Sequence, residues 1–235
     1  MVRAPGSHGR GYDFVSAPAP LLRTFRHGAL TVHVIQAGGQ KLDGGAMFGV
    51  VPKPLWEKRI PADERNRIPL GMRCLLVEHD AGPILIDTGA GNKETDKFYE
   101  IYSIENRAQD GRTSLEDGIN KAGFAPEDIA YVINTHLHFD HGGGNTYRNA
   151  DGELRASFPR ARYIVQRGEY EYATNTNERT AASYFSDNFV PLRMLDMLTL
   201  VDGETEILPG IRLLPTPGHV PHHQSILIQS AGETA

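Results

Sequence analysis

The chain has 235 residues, 40% of them hydrophobic and 23% charged, which predicts one globular domain or at most two small ones. Its 24 Lys and Arg against 29 Asp and Glu give a net charge of −5, which argues against nucleic acid or an anionic membrane as the main partner. No apolar run approaches the roughly 18 residues of a membrane-spanning helix, and the single cysteine, Cys74, excludes an internal disulfide and a cysteine-based zinc cluster.

The first predicted segment is a leader. Residues 1–22 are rich in Gly, Pro, Ala and Ser and contain no apolar block long enough for a signal peptide, so we interpret them as flexible. Residues 23–235 are predicted to form one domain, and the cytoplasm is the expected compartment. The first strand of that domain is predicted at residues 30–36, which are rich in β-branched side chains.

A long irregular stretch over residues 37–70 is predicted to follow this strand. Loops of such length are uncommon inside a compact domain and usually have a function when they occur. The apolar side chains Met47, Phe48 and Trp56 within the stretch are therefore candidates for lining a substrate pocket. The alternative interpretation is that they anchor the loop to the core.

The segments that follow alternate between predicted strands and helices. Residues 72–78 and 84–88 are predicted to form a β-hairpin, and residues 114–122 a helix with a capping residue at its start and a glycine after its end. Residues 129–135 are predicted to be a buried strand that leads into a histidine cluster. Further strands are predicted at residues 163–166, 198–201, 206–208, 211–215 and 224–229, and a helix start at residues 168–173.

The first histidine cluster comprises His136, His138, Asp140 and His141, and a run of glycines follows it. The alternation of the first three residues turns their side chains to one side of an extended segment, whereas His141 requires the backbone to turn. Three imidazoles and a carboxylate within so short a span suit a zinc-type ion with nitrogen and oxygen ligands. The alternative is a histidine-rich surface turn without a ligand.

The second histidine cluster follows the strand predicted at residues 211–215 and contains His219, His222 and His223. A mononuclear catalytic zinc takes three protein ligands and a water, and His219 is a candidate for the third ligand beside His136 and His138. His223 begins the next predicted strand, so we expect it to be a hydrogen-bonded histidine in the core or behind the ligands. The role of His222 is left open between solvent, metal and substrate.

The two clusters carry a resemblance to a known family. The H-x-H-x-D-H run of residues 136–141, the D-T-G sequence at residues 87–89 and the T-P-G-H sequence at residues 216–219 resemble the metallo-β-lactamase superfamily. The resemblance extends over residues 25–235 and therefore includes nearly the whole chain outside the leader.

Several motifs resemble one branch of that superfamily most closely, the N-acyl-homoserine lactone lactonases and their relatives. These motifs are H-L-H-F-D-H with G-G-N, T-P-G-H-x-P-x-H-Q-S, and G-A-M-F-G-V-V-P-K at residues 45–53. The sequence departs from the branch at His222, where the branch usually has glycine.

The resemblance implies an α/β fold, a four-layer αββα sandwich with a two-metal site at one edge of the paired sheets. It implies that His136, His138 and His219 hold one zinc ion and that Asp140 and His141 hold a second. Asp87 is then expected to fix the loop that carries His136, because groups behind the ligands orient them. The alternative for Asp87 is an ordinary aspartate in a turn.

The resemblance also implies ligands that have no counterpart in this sequence. The family has a bridging aspartate on a further strand and a final histidine nearer its C-terminus. We therefore expect the chain to be truncated at its C-terminus, without the last strands and helix of the sandwich, and to bind one or two zinc ions. The truncated chain itself is then a candidate for an inactive fragment.

The leading functional hypothesis is a zinc-dependent hydrolase that opens a lactone or ester carbonyl, most closely an N-acyl-homoserine lactone-type lactonase of quorum quenching. Zinc lowers the pKa of a bound water to about 7, and Asp140 is the candidate for carrying a proton to the leaving alkoxide. The alternatives are a hydrolase of the same fold acting on a β-lactam, a thioester or a phosphotriester, and a non-catalytic metal-binding fragment. The expected partner is a small molecule, and the oligomeric state is left open, with a dimer as one option.

Overall fold

A computed structural model describes residues 21–107 and 112–235 of the chain. The predicted leader, residues 1–22, lies outside the described residues except for its last two, and the first strand begins at Leu22. Within the described residues, no helix is both long and apolar enough to cross a membrane.

The described residues form short helices and three sheets. In chain order the strands are β1 (Leu22–His27), β2 (Leu30–Asp43), β3 (Arg67–Glu78), β4 (Ile84–Ile86), β5 (Tyr131–Ile133), β6 (Thr146–Arg148), β7 (Leu154–Ala156), β8 (Arg162–Gln166), β9 (Leu198–Val201), β10 (Thr205–Leu208), β11 (Ile211–Pro215), β12 (Gln224–Ser230) and β13 (Glu233–Thr234). The α-helices are α1 (Gly44–Phe48), α2 (Lys53–Trp56), α3 (Asp96–Tyr102), α4 (Ser114–Lys121), α5 (Phe139–Gly142), α6 (Arg167–Thr174) and α7 (Val190–Met194). Single 3-10 turns lie at Pro126–Asp128, Gly143–Asn145 and Ser186–Asn188.

The largest sheet has seven strands in the order β1-β2-β3-β4-β5-β8-β9. The first four strands pair in antiparallel fashion, whereas β4, β5, β8 and β9 pair in parallel. Because the carboxyl ends of parallel strands meet at one edge of a sheet, the loops after β4 and β5 converge there. Asp87 lies in the first of these loops and the first histidine cluster in the second.

Apolar packing arranges the elements in layers. On one face of the large sheet, Leu76 and Leu85 belong to a buried cluster that includes Ile119 of α4. On the opposite face, Ile84 belongs to a second cluster with Leu213 of the four-stranded sheet β10-β11-β12-β13. The order of helices, sheet and second sheet agrees with the predicted α/β sandwich.

Several elements predicted from the sequence are confirmed. β3 and β4 form the expected antiparallel hairpin. Helix α4 begins with a capping box, in which the Thr113 hydroxyl accepts a hydrogen bond from the Glu116 N–H at 3.2 Å and the Glu116 carboxylate accepts one from the Thr113 N–H at 2.6 Å. The reciprocal bonds explain why the helix starts where it does.

The irregular stretch predicted for residues 37–70 is wrong over much of its length. β2 continues to Asp43, β3 begins at Arg67, and α1 and α2 lie between them. The extension of β2 contains two glycines, which are weak strand formers, so its own residues give no strand signal. Its pairing with β3 supplies the missing stabilisation, because residues 38–43 are in register with residues 67–72.

Contacts distant in sequence attach the turn between β1 and β2 to β12. His27 Nε2 lies 3.1 Å from the carbonyl oxygen of Ile228, and the Ala29 N–H donates to the Ser230 hydroxyl at 2.9 Å. These bonds join one edge of the seven-stranded sheet to the four-stranded sheet.

Candidate metal centre

A buried carboxylate, Asp87, organises the loop that follows β5. Its Oδ1 accepts a hydrogen bond from the Thr135 N–H at 2.8 Å. Its Oδ2 accepts from the Thr135 hydroxyl at 2.8 Å and from His141 Nδ1 at 2.8 Å. The structure thus places Asp87 behind the first histidine cluster, in contact with the residue before His136 and with the ring of His141.

Three imidazoles converge beside this carboxylate. One ring nitrogen of each of His136, His138 and His219 lies within 4.8 Å of the other two. The ring centroid of His136 is 4.6 Å from that of His138 and 4.9 Å from that of His219. His136 is buried, His138 is half-buried and His219 is exposed, so this histidine triad opens to solvent on the His219 side. These are the three residues that the sequence analysis assigns to one ion.

The hydrogen-bond network leaves a free lone pair on the most buried member of the triad. The Thr135 hydroxyl donates to Asp87, which as a carboxylate can only accept, so at His136 Nδ1, 3.0 Å away, the hydroxyl oxygen is an acceptor and the ring nitrogen is the donor. The other nitrogen, Nε2, then carries the lone pair, and it is buried without a hydrogen-bond partner. A metal cation bound at this position would accept the lone pair, as metal coordination by a neutral imidazole requires.

Electrostatics favour neutral imidazoles in the triad. Burial lowers the pKa of His136 far below its usual range and lowers the pKa of His138 to about 4. Both rings are therefore uncharged at neutral pH, as metal coordination requires. Three nitrogen donors in open geometry fit a zinc-type ion with a fourth position left for water or substrate.

Asp140 and His141 lie next to the triad and face each other. Asp140 Oδ2 accepts a hydrogen bond from Gln40 Nε2 at 2.6 Å and is 3.6 Å from His141 Nε2. Burial alone would lower the pKa of His141, but the adjacent Asp87 carboxylate raises this pKa to about 9. Because His141 donates through Nδ1 to Asp87, its Nε2 is the atom directed toward Asp140.

The glycines after His141 allow this loop to lie directly on the loop after β4. A Cβ on Gly144 would stand 2.2 Å from the Thr88 carbonyl oxygen, and one on Gly143 would stand 2.5 Å from that of Ala90. Real side chains do not tolerate such distances, so the close approach requires glycine at both positions. The glycine run therefore sets the spacing between the Asp87 loop and the histidine loop.

The segment that carries His219 is attached to the first cluster through Gln224. The Gln224 N–H donates to the Thr135 carbonyl oxygen at 3.0 Å. Its buried side-chain amide donates to the Asn134 carbonyl oxygen at 2.8 Å. Gln224 thereby connects the start of β12 to the end of β5 and brings His219 toward His136.

The two remaining histidines of the second cluster occupy different surroundings. His223 Nδ1 is 2.9 Å from the Thr216 hydroxyl, and its ring centroid is 5.2 Å from that of His136. Burial lowers the pKa of His223. His222 is exposed and lies against Gly168 of α6, and it is not a member of the histidine triad.

The apolar residues predicted to line a substrate pocket lie on α1 and α2. Trp56 is buried and stacks on Phe48 with ring centroids 5.1 Å apart, whereas Met47 is 46% exposed. None of these three is among the described residues that line the cavity beside His138 and His219. A substrate contact for these three side chains stays a prediction.

Sequence reasoning missed Glu169, a fully buried carboxylate on α6. Its Oε1 accepts hydrogen bonds from the Leu137 N–H and the Tyr184 hydroxyl, both at 3.0 Å. Leu137 separates His136 from His138, and the Tyr184 ring lies 4.7 Å from the His138 ring. Burial raises the pKa of Glu169.

Neither Glu169 nor Gln40 belongs to a motif with a recognisable spacing. The one signal in the sequence for Glu169 is an acidic residue within a predicted helix, and Gln40 lies 100 positions before Asp140. Contacts of this kind depend on tertiary structure.

Replacement of Glu169 by alanine is expected to weaken zinc binding about 10- to 100-fold and to reduce the free energy of unfolding by about 2 to 4 kcal/mol. The change leaves the Leu137 N–H and the Tyr184 hydroxyl without their acceptor and frees the segment between two histidines. Zinc titration against a chromophoric chelator and urea unfolding measure the two effects. Glu171→Ala, an exposed position on the same helix, is the matched control. Equal zinc affinity and equal free energy of unfolding in the two variants would contradict the supporting role of Glu169.

The chain is similar in sequence to proteins of one superfamily. The profile of the metallo-beta-lactamase superfamily matches residues 69–234. An N-acyl homoserine lactonase from a Bacillus species is 35% identical over 170 residues, which are 69% of this chain and 60% of that protein. The chain therefore spans about three fifths of the length of this curated relative.

Solved structures show the same similarity in three dimensions. A probable metal-dependent hydrolase from Staphylococcus aureus superimposes with a TM-score of 0.79 at 33% identity, covering 90% of this chain and 73% of that one. A Bacillus thuringiensis AiiA mutant with N-decanoyl-L-homoserine bound at its active site superimposes with a TM-score of 0.62 at 28% identity, covering 85% and 70%.

Proposed function

Because the chain belongs to the metallo-β-lactamase superfamily, we propose that it is a zinc-dependent hydrolase that opens the ring of N-acyl-homoserine lactones. The observation that carries the proposal is the histidine triad, with three imidazole nitrogens within 4.8 Å of one another and a buried, unpartnered Nε2 on His136. The similarity to N-acyl homoserine lactonases supports the choice of substrate.

The two sets of proposed ligands differ in their support. His136, His138 and His219, whose ring nitrogens converge, would hold one zinc ion. Asp140 and His141, which face each other beside the triad, would hold a second, as the family resemblance implies. A bound zinc ion supplies hydroxide near neutral pH and polarises a carbonyl oxygen. The role assigned to Asp87 is to fix the His141 ring through Nδ1, which leaves Nε2 as its ligand atom.

Asp140 is the residue to which we assign proton transfer. Ring opening of a lactone adds the oxygen of a water to the carbonyl carbon and a proton to the departing alkoxide oxygen. A carboxylate beside the reacting carbonyl can accept that proton from the attacking water and deliver it to the alkoxide. Gln40 holds Asp140 Oδ2 at 2.6 Å and so restricts the orientation of this carboxyl group. This hydrogen bond keeps the carboxyl group of Asp140, the proposed proton donor, next to the triad.

A substrate panel tests the proposal. The chain, loaded with zinc, is incubated with an N-acyl-homoserine lactone, a β-lactam, a thioester and a phosphotriester, and ring opening or cleavage is followed by chromatography. We expect hydrolysis of the lactone and its loss in the His138→Ala variant. Faster cleavage of another substrate would favour the corresponding rival hydrolase, and zinc binding without any hydrolysis would favour a non-catalytic metal-binding chain.

A small-molecule substrate and the cytoplasm as the expected compartment complete the proposal. The oligomeric state stays open, with a dimer as one option.

A further inference from the structure

A cavity of about 290 Å³ borders two members of the histidine triad, His138 and His219. Val220 and Pro221 form one part of its wall. The segment between α6 and the 3-10 turn at Ser186–Asn188 supplies most of the rest. The complete lining consists of His138, Tyr172, Asn177, Arg179, Thr180, Ser183, His219, Val220 and Pro221.

The lining of this cavity is rich in hydrogen-bond donors. Arg179 is the lining residue with a permanent charge, and none of the described residues that line the cavity is a carboxylate. A guanidinium group has five N–H donors and no acceptor, and Asn177, Thr180 and Ser183 add an amide and two hydroxyls. The cavity therefore offers more donors than acceptors to a ligand.

Arg179 is also free to bind a ligand as far as the described chain shows. Its side chain forms no ion pair with any residue that the structure describes, whereas the exposed arginines Arg148, Arg155 and Arg167 each pair with an acidic residue. Arg179 is exposed, so its guanidinium donates to water when the cavity is empty. An oxygen acceptor on a ligand would take the place of one of these waters and keep the hydrogen bond, whereas an apolar group at the same position would replace the water without one.

From these observations we propose that the cavity is a subsite for the acyl side of the substrate, and that Arg179 selects acyl chains that carry an oxygen acceptor such as a ketone. The proposal rests on the proposed lactonase function and specifies its substrate class. The reacting carbonyl must lie at the triad, so the cavity that borders His138 and His219 receives the part of the substrate that extends beyond the ring. Selection at this position acts on binding and leaves the reacting atoms unchanged.

Two lactones that differ by one oxygen test the proposal. kcat and KM are measured for N-hexanoyl- and N-(3-oxohexanoyl)-homoserine lactone with the unmodified chain, Arg179→Met and Arg193→Met. We expect the unmodified chain to prefer the oxo compound about tenfold in kcat/KM through a lower KM. Arg179→Met is expected to bring this ratio close to one, because the oxo compound then loses its hydrogen-bond donor.

The matched control is Arg193, an exposed arginine on α7 that does not line the cavity. Arg193→Met is expected to keep the tenfold preference. An equal oxo preference in Arg179→Met and the unmodified chain would overturn the proposal, and so would no preference in the unmodified chain.

Binding of ring-opened compounds separates the subsite from the proposed activity. If neither lactone is opened, the proposed function fails, and calorimetric titration with N-(3-oxohexanoyl)-homoserine and N-hexanoyl-homoserine still tests the cavity. Tighter binding of the oxo compound that is lost in Arg179→Met supports the subsite. Equal binding of the two compounds by the unmodified chain overturns it.

Discussion

Replacement of His136 by alanine is expected to abolish zinc binding at the histidine triad and to lower the rate of lactone hydrolysis roughly 1000-fold or more. His136 is the most buried of the three imidazoles, and its Nε2 has no other partner in the described chain. Alanine leaves two protein ligands where a catalytic zinc needs three. Zinc per chain after dialysis and the initial rate of hydrolysis measure the two effects.

The second histidine cluster contains the matched control for this prediction. His222 is exposed and lies outside the triad, so His222→Ala is expected to keep the zinc content and the rate of the unmodified chain. His138→Ala is expected to behave like His136→Ala. Loss of zinc in both variants would show that the effect does not come from a folding defect at one position. Retention of zinc by both His136→Ala and His138→Ala would contradict the assignment of these ligands.

Replacement of Asp87 by glycine is expected to weaken zinc binding about 10- to 100-fold and to lower the free energy of unfolding by about 2 to 4 kcal/mol. Asp87 accepts hydrogen bonds from the Thr135 N–H, the Thr135 hydroxyl and His141 Nδ1, and all three donors lose their acceptor in this variant. Asp87 also adopts a φ of 57°, which glycine accommodates without strain. The effects of Asp87→Gly on zinc affinity and stability therefore report the loss of the acceptor and not backbone strain.

Two further variants test this separation between acceptor and backbone. Asp87→Asn keeps one acceptor oxygen and tolerates the left-handed conformation, so it is expected to fall between Asp87→Gly and the unmodified chain in zinc affinity. Asp196 has a φ of 55° and is exposed, so Asp196→Gly is expected to change neither stability nor zinc affinity by more than a small amount. Zinc affinity in Asp87→Gly equal to that of the unmodified chain would show that the carboxylate does not support the ligands.

The histidine triad was predictable because its local signals and its tertiary environment agree. His136 and His138 alternate directly after a buried strand, and His219 follows a second strand that ends in a turn. Residues that follow a strand lie at the edge of its sheet, so the positions of the two histidine clusters after β5 and β11 were enough to predict that their side chains come together. The distances among the three rings then depend on Gln224, whose side chain has no partner that a sequence pattern indicates.

The supporting residues were not predictable for a physical reason. Glu169 reaches Leu137 from a helix 32 positions away, and Gln40 reaches Asp140 from a strand 100 positions away. Such contacts depend on how the sheets and helices pack and leave no periodic trace in the sequence. The extension of β2 was missed because glycine has low strand propensity, and pairing with β3 overrides that local preference.

The bonds between the β1–β2 turn and β12 also make the metal site dependent on contacts between distant parts of the chain. His27 and Ile228 are 201 positions apart, and Gln224 and Asn134 are 90 positions apart, so both contacts require closure of long loops of unfolded chain. Contacts of such separation are associated with slow folding of a domain. The docking of β12 through Gln224 brings His219 toward His136, so an unfolded chain offers no preformed set of three imidazoles to an ion. High affinity for zinc at the triad is therefore expected of the folded domain, and zinc is expected to stabilise it against unfolding.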